Sequence, residues 1–153
     1  MKNSKLQTFS FGEVELSYKR KQASTFKTIK SSDDAITCIR KIFPVNQINY
    51  REHMFVLFMN MKNEIIGYHL NSVGGVSQTI IDIRIIMQGA LLSNAVGILL
   101  CHNHPSGNLK PSEQDRRLTQ KIIKAGKILD INVLDHLIIT ENSHYSFADN
   151  GEI

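Results

Sequence analysis

The sequence predicts an α/β fold, a three-layer sandwich in which a mixed β-sheet is flanked by helices. Segments of strand length alternate along the chain with segments of helical periodicity. The apolar run at 96–101 is typical of a central strand that is buried on both faces. With 153 residues, 42% of them hydrophobic and 21% charged, the chain is most simply one globular domain.

The charge distribution predicts a basic N-terminal extension at 1–30 and a domain at 31–153. The extension holds seven Lys and Arg against two Glu, a net +5, so the domain carries −1 of the chain's total of +4. A basic arm on a near-neutral body favours contact with nucleic acid, and a merely solvated extension fits the same charges. Residues 8–18 alternate enough to form a strand or an edge hairpin.

Hydropathy and the positions of the cysteines indicate in which cellular compartment the protein is expected. No apolar run approaches the roughly 20 residues that span a bilayer, and the N-terminus has no apolar segment of the secretory type. Cys38 and Cys101 lie far apart and form no CxxC pair, which favours free thiols in a reducing compartment. We therefore expect a cytoplasmic protein without membrane contact.

Three helices are predicted, at 31–43, 82–94 and 112–129. Ser31 or Ser32 caps the first, acidic residues follow in its first turn, and Pro44 marks its end. The third is amphipathic, with a basic outer side. The residues expected to face the core are Ile36, Ile39, Phe43, Ile83, Ile86, Met87, Ala90, Leu91, Leu118, Ile122, Ala125 and Leu129.

The strands are predicted between these helices. Residues 53–59 and 64–70 form a hairpin through the short polar turn 60–63, and Gly74-Gly75 breaks the pattern after it. The run 96–101 is the central strand, and 133–140 and 145–147 are the last two.

The stretch CHNHPSGNLKPSEQD, which overlaps the end of the central strand, is the candidate site. Side chains alternate along an extended segment, so His102 and His104 point to the same side. Prolines and a glycine then turn the chain back, which brings Asp115 into the first turn of the next helix. Two imidazoles, one carboxylate and a water make a plausible catalytic zinc site.

Spacing alone leaves other interpretations open. Ser112 to Asp115 also fits a helix-capping box that needs no metal, and an isolated His-x-His is more often structural than a ligand pair. Two zinc-enzyme or nuclease patterns do not fit. Three adjacent residues cannot reproduce an HNH nuclease site, which is spread along a ββα unit, and the downstream Pro-Cys-x-x-Cys of zinc deaminases is missing.

The spacing also carries a family resemblance. His102-x-His104, seven residues, then Ser112-x-x-Asp115 resembles the JAMM (JAB1/MPN) metalloprotease motif position for position. The fuller string, His-Asn-His-Pro-Ser-Gly followed by Pro-Ser-x-x-Asp, is similar to the RadC branch of that family. Further matching stretches are Glu52-His53-x-x-Val56-Leu57-x-x-Asn60, Ala125-Gly126-Lys127 and Leu134-Asp135-His136. The resemblance implies a JAB/MPN fold, which is cytidine-deaminase-like.

The resemblance implies a role for each matching residue. It makes His102, His104 and Asp115 zinc ligands, Ser112 the serine that stabilises the oxyanion, and Glu52 the base that activates water. From the residues alone, Glu52 is equally a surface charge at a strand end, and Glu113 is closer in sequence. The implied activity is zinc-dependent hydrolysis of a peptide or isopeptide bond in a protein or peptide substrate.

Two departures from the RadC pattern qualify this. The residues before Glu52 show no helix-hairpin-helix pattern, and the helix at 82–94 begins Asp-Ile-Arg where many relatives begin His-Pro-Arg. The alternative function is a binding module, an accessory protein of RadC-type DNA repair or of a mobile element. Asp135 and His136 are interpreted as structural residues or supports of the site, because they follow one another inside a strand.

Overall fold

The structure, a computed structural model, describes Tyr18 and residues 27–74 and 81–153. The strands are β1 (His53–Met59), β2 (Ile65–Val73), β3 (Gly97–Asn103), β4 (Asn132–Ile139) and β5 (His144–Ser146). The helices are α1 (Ser32–Ile42), α2 (Ile83–Leu92) and α3 (Glu113–Ile128), with a short 3-10 turn at Val45–Gln47. Of the predicted strand at 8–18, all but Tyr18 lies outside the described residues.

Five described strands form one sheet in the order β2-β1-β3-β4-β5. The central pair β3 and β4 is parallel, and the other three pairs are antiparallel. Helix α3 connects the two parallel strands, as the crossover between parallel strands requires. The sheet is therefore mixed, as predicted.

The two faces of the sheet are covered by different helices. Leu99 and Cys101 of β3 pack in one apolar cluster with α1, whereas Ile98 and Leu100 pack in a second cluster with α2 and α3. Every residue of β1 and β3 is buried, because both strands have a helix layer on each side. The three-layer α/β sandwich is confirmed.

The helix ends are close to their predicted positions. The Ser31 side chain accepts a hydrogen bond from the Asp34 amide and caps α1, and Ser112 caps α3. Two predicted core residues are wrong, since Leu91 is 52% exposed and Leu129 is 38% exposed. Leu91 lies at the margin of the buried stripe of α2, and Leu129 is the C-cap residue of α3, where helical periodicity ends.

Gly126 sets the distance between α3 and the sheet. A Cβ added there would collide with the carbonyl oxygen of Ile131, in the loop that leads into β4. The amide of Ile131 in turn donates a hydrogen bond to the Gly126 carbonyl (2.9 Å). The close approach needs a residue without a side chain, which is the physical reason for the glycine in Ala125-Gly126-Lys127.

Residues 27–29 run beside the turn between β1 and β2. The Ile29 amide donates to the Asn63 carbonyl (2.8 Å), and the Ile65 amide donates to the Lys27 carbonyl (3.1 Å). The division into an extension at 1–30 and a domain at 31–153 stays a prediction. None of the described helices has the length and apolar character needed to cross a membrane.

Candidate metal centre

Three potential metal ligands meet where β3 ends and α3 begins. His102 lies near the carboxyl end of β3, His104 follows it in the same alternation, and Asp115 is in the first turn of α3. The Nε2 atoms of the two histidines are 3.0 Å apart. His102 Nε2 lies 3.2 Å from Asp115 Oδ1, and His104 Nε2 lies 3.6 Å from Asp115 Oδ2. The structure thus brings together the three residues predicted as ligands.

The donor set fits zinc. His104 Nδ1 lies 2.6 Å from the Asn108 carbonyl oxygen. A carbonyl can only accept a hydrogen bond, so Nδ1 carries the ring proton and the neutral ring turns the lone pair of Nε2 toward His102 and Asp115. Ligands about 2.0–2.1 Å from a tetrahedral zinc lie about 3.3 Å from one another, close to the separations found here.

The electrostatics of the three groups also favour a cation. Burial favours the protonated form of Asp115. The hydrogen bonds that His102 and His104 donate from Nε2 when these rings are protonated outweigh it and hold the pKa of this carboxyl far below its ordinary value. The hydrogen bond with Asp115 raises the pKa of His104 above 6.5. A carboxylate that stays ionised beside two ring nitrogens attracts positive charge, whether a proton or a metal ion.

The predicted capping box is present and coexists with this cluster. The amide and the hydroxyl of Ser112 both donate to Asp115 Oδ2 (2.7 and 2.6 Å), and the Asp115 amide donates to Ser112 Oγ (3.1 Å). Asp115 therefore uses Oδ2 mainly for the cap and turns Oδ1 toward His102. The two interpretations of this segment are compatible, because the carboxylate has two oxygens.

Glu52 reaches the same place from the neighbouring strand. β1 and β3 are antiparallel with Met54 opposite His102, and continuing this register puts residue 52 opposite residue 104. Glu52 is half-buried, and its charge adds to the raised pKa of His104. Glu113, the alternative base, is exposed and lies two residues from Asp115, on the other side of the helix.

Asn103 is a positioning residue that the sequence reasoning did not assign. It is fully buried on the α1 face of β3, where its side-chain amide donates to the carbonyls of Ile48 (2.8 Å) and Arg51 (2.9 Å). Its Oδ1 accepts a hydrogen bond from the amide of His53 (2.7 Å). These contacts hold the backbone on both sides of Glu52. The only signal in the sequence is that a polar residue between two ligands must point into the opposite core.

Asp135 and His136 support the site from β4. Asp135 accepts hydrogen bonds from the Ser146 hydroxyl (2.6 Å), the Ala148 amide (3.0 Å) and the His136 amide (2.7 Å), which fixes the start of the C-terminal segment. His136 is fully buried and contacts His102 directly. Among the described residues, the group within reach of one metal ion is His102, His104 and Asp115. Both residues thus agree with their interpretation as supports.

Comparison with known proteins agrees with the fold and the motif. A family model described as "RadC-like JAB domain" matches residues 29–152. A UPF0758 protein of Flavobacterium johnsoniae is 46% identical over 125 residues, 82% of this chain and 53% of the relative. A UPF0758 protein of Porphyromonas gingivalis is 43% identical over 123 residues, 80% of this chain and 54% of the relative.

A further relative is UPF0758 protein YfjY of Escherichia coli strain K12, which is 39% identical over 101 residues, 66% of this chain and 63% of the relative. The chain spans about half the length of the first two relatives. The family model covers most of the chain, and its region contains Glu52 and the whole stretch from His102 to Asp115. The chain belongs to the RadC-like JAB domain family.

Proposed function

We propose that the protein is a zinc-dependent hydrolase of the JAMM type that cleaves a peptide or isopeptide bond. The observation that carries the proposal is the convergence of His102, His104 and Asp115 within 3.0–3.6 Å of one another. Glu52 immediately precedes the neighbouring strand β1, at the same end of the sheet, and its charge acts on His104. Three protein ligands beside a carboxylic base form the pattern of a catalytic zinc site, which leaves one position for water.

Each side chain has a role in this proposal. When bound, zinc supplies a Lewis acid that lowers the pKa of water and polarises the substrate carbonyl. Glu52 accepts the proton of the attacking water and later passes it to the leaving amine. Asn103 holds the backbone on both sides of Glu52, just before β1, and the charge of Glu52 acts on His104, which supports this role.

Ser112 is the donor to the oxyanion in this mechanism. Its hydroxyl is exposed at the rim of the site and donates to Asp115 Oδ2 in the structure. Rotation about the Cβ–Oγ bond redirects this proton to the substrate oxygen without moving Oγ. Asp115 Oδ2 then keeps its hydrogen bond from the Ser112 amide (2.7 Å), so the helix cap survives the change. Hydrogen bonds donated to the developing oxyanion are often a large part of catalysis.

The class of bond follows from the JAMM resemblance of the motif. The alternative, a binding module in DNA repair or in a mobile element, follows from the resemblance to the RadC branch, and the basic arm adds a little support to it. We rank it second, because a module that only binds has no need of a general base beside a cluster of metal ligands. The same proposal includes a protein or peptide as the substrate and the cytoplasm as the place where the protein acts.

The test is the variant Glu52→Gln, which keeps the shape of the side chain but cannot accept a proton at neutral pH. Zinc content and turnover of a broad panel of peptide and isopeptide substrates are measured on one preparation beside wild type. We expect unchanged zinc and a loss of turnover of at least about 100-fold, within the usual contribution of a general base. Glu113→Gln is the matched control and is expected to keep full turnover.

Each other result contradicts part of the proposal. Loss of zinc in Glu52→Gln would make Glu52 a ligand. Undiminished turnover in that variant, with a loss in Glu113→Gln, would move the base to α3. Zinc-loaded wild type that hydrolyses no member of the panel would favour the binding module.

A further inference from the structure

We propose that Thr119 and His136 are positioning residues that set the tautomer of His102 and so direct its Nε2 toward the metal. They form a chain of hydrogen bonds that begins at the main-chain carbonyl of Asp115 and ends at His102 Nδ1. The part of this inference that concerns metal binding rests on the proposed function. The chain of hydrogen bonds itself can be tested without metal.

The direction of the chain is set at Thr119. Its hydroxyl lies 2.7 Å from the carbonyl oxygen of Asp115 and 2.6 Å from His136 Nδ1. A hydroxyl has one proton, and a carbonyl can only accept, so Thr119 donates to Asp115. His136 Nδ1 must then donate to Thr119 Oγ1, which places the ring proton of His136 on Nδ1.

His136 passes this direction on because it is neutral. Its ring is fully buried and stacks on Phe147, with ring centroids 4.7 Å apart. Its hydrogen-bond partners are a hydroxyl and another imidazole, and burying a charged ring without an anionic partner is costly, so the uncharged form is favoured. A neutral ring with its proton on Nδ1 has a lone pair on Nε2, which can only accept.

His102 completes the chain. Its Nδ1 lies 2.8 Å from His136 Nε2, and because the latter is an acceptor, His102 Nδ1 carries the proton and donates it. The lone pair of His102 is then on Nε2, which faces His104 and Asp115. The Asn108 carbonyl does the same for His104 through a single contact. Both histidines therefore present Nε2 lone pairs to one point.

The chain of hydrogen bonds also links two ligands. It joins the backbone of Asp115 to the ring of His102, so α3 and β3 hold a common orientation around the metal. Groups that orient a metal-bound histidine typically contribute 10- to 100-fold to metal affinity. Thr119 is one helical turn from Asp115 and is 1% exposed, so its hydroxyl has no substitute from solvent.

The experiment compares Thr119→Val with Thr119→Ser. Valine keeps the shape of threonine without the hydroxyl, whereas serine keeps the hydroxyl. We expect Thr119→Val to bind zinc about 10- to 100-fold more weakly than wild type in competition with a chelator, and Thr119→Ser to bind like wild type. Circular dichroism of the same samples shows whether each variant is folded.

The second measurement reads the tautomers directly by ¹⁵N NMR of the imidazoles at about pH 8, where ordinary histidines are neutral. In metal-free wild type we expect the proton of His136 on Nδ1. In Thr119→Val we expect a shift toward the Nε2 form, which a purely structural role of Thr119 would not produce. Thr119→Ser should keep the wild-type tautomer.

The outcomes separate this inference from the proposed function. Wild type that binds no zinc but has His136 protonated on Nδ1 would refute the zinc site and leave the chain of hydrogen bonds intact. A proton on Nε2 of His136 in wild type would overturn the chain of hydrogen bonds. Zinc binding by Thr119→Val as tight as that of wild type would overturn the role of the chain in metal binding. If Thr119→Val does not fold, the tautomer of His136 in wild type decides whether the chain of hydrogen bonds exists.

Discussion

His102 and Asn103 are neighbours at the end of β3, and both are buried, yet their polar atoms are used in opposite ways. On the α1 face, Asn103 makes three hydrogen bonds to main-chain groups. On the α3 face, the Nε2 atoms of His102 and His104 lie 3.0 Å apart beside an ionised carboxylate. The first face is complete without a ligand, whereas the second gathers acceptors that a cation would stabilise.

This difference separates structural polar residues from candidate ligands. Buried polar groups in proteins are nearly always satisfied by hydrogen bonds, as those of Asn103 are. Two ring nitrogens and a carboxylate that face one another form a group that a cation would stabilise. The polar residues behind the cluster are satisfied by hydrogen bonds, as Asn103 is. Thr119 bonds to Asp115 and His136, and His136 bonds to Thr119 and His102. Substitutions on the two faces should therefore alter different properties, metal binding on one and stability on the other.

The largest expected effect is on the α3 face. His104→Ala removes one of three ligands and should abolish stoichiometric zinc binding, measured by mass spectrometry on protein purified without a histidine tag. Chelation should lower the melting temperature of wild type but not of the variant, because a ligand stabilises only the state that binds it. His69→Ala, on the exposed part of β2, is the control and should bind like wild type. One zinc per chain in His104→Ala would refute the ligand assignment.

The next effect is on the α1 face. Asn103→Ala leaves the buried Ile48 carbonyl and the His53 amide without this partner, so we expect a loss of about 2–4 kcal/mol in the free energy of unfolding by urea. The folded variant should still bind one zinc. The exposed Asn46→Ala is the control, with an expected change within about 0.5 kcal/mol. Equal stability of the two variants would show that the Asn103 contacts contribute little.

The smallest effect is a pH dependence of the chelated protein. The hydrogen bond with Asp115 raises the pKa of His104 above its unfolded value of 6.5, so this pair stabilises the fold fully below about pH 6.5. The stabilisation is lost as the pH rises through the raised value. Urea unfolding from pH 5 to 9 should show this decline in wild type and not in His104→Ala. Parallel profiles would mean that the pair does not contribute to stability.

Local chemistry explains why much of the fold and the motif could be predicted. The Ser31 and Ser112 caps and the shared side of His102 and His104 depend on neighbours within a few residues. Leu91 and Leu129 were predicted to face the core and do not, because periodicity does not report where a helix loses contact with its neighbours. Glu52 was assigned through the family motif, and the β1–β3 register supplies the physical reason for its position.

By itself, the sequence determined the alternation of helices and strands, the helix caps and the three candidate ligands, since each depends on spacing along the chain. Only the tertiary structure decided which contacts support them. Asn103 meets backbone groups about fifty residues earlier, and His136 meets Thr119 and His102 from another strand. These pairs form because antiparallel β1 and parallel β4 lie on either side of β3 in one register, and no local pattern specifies that register.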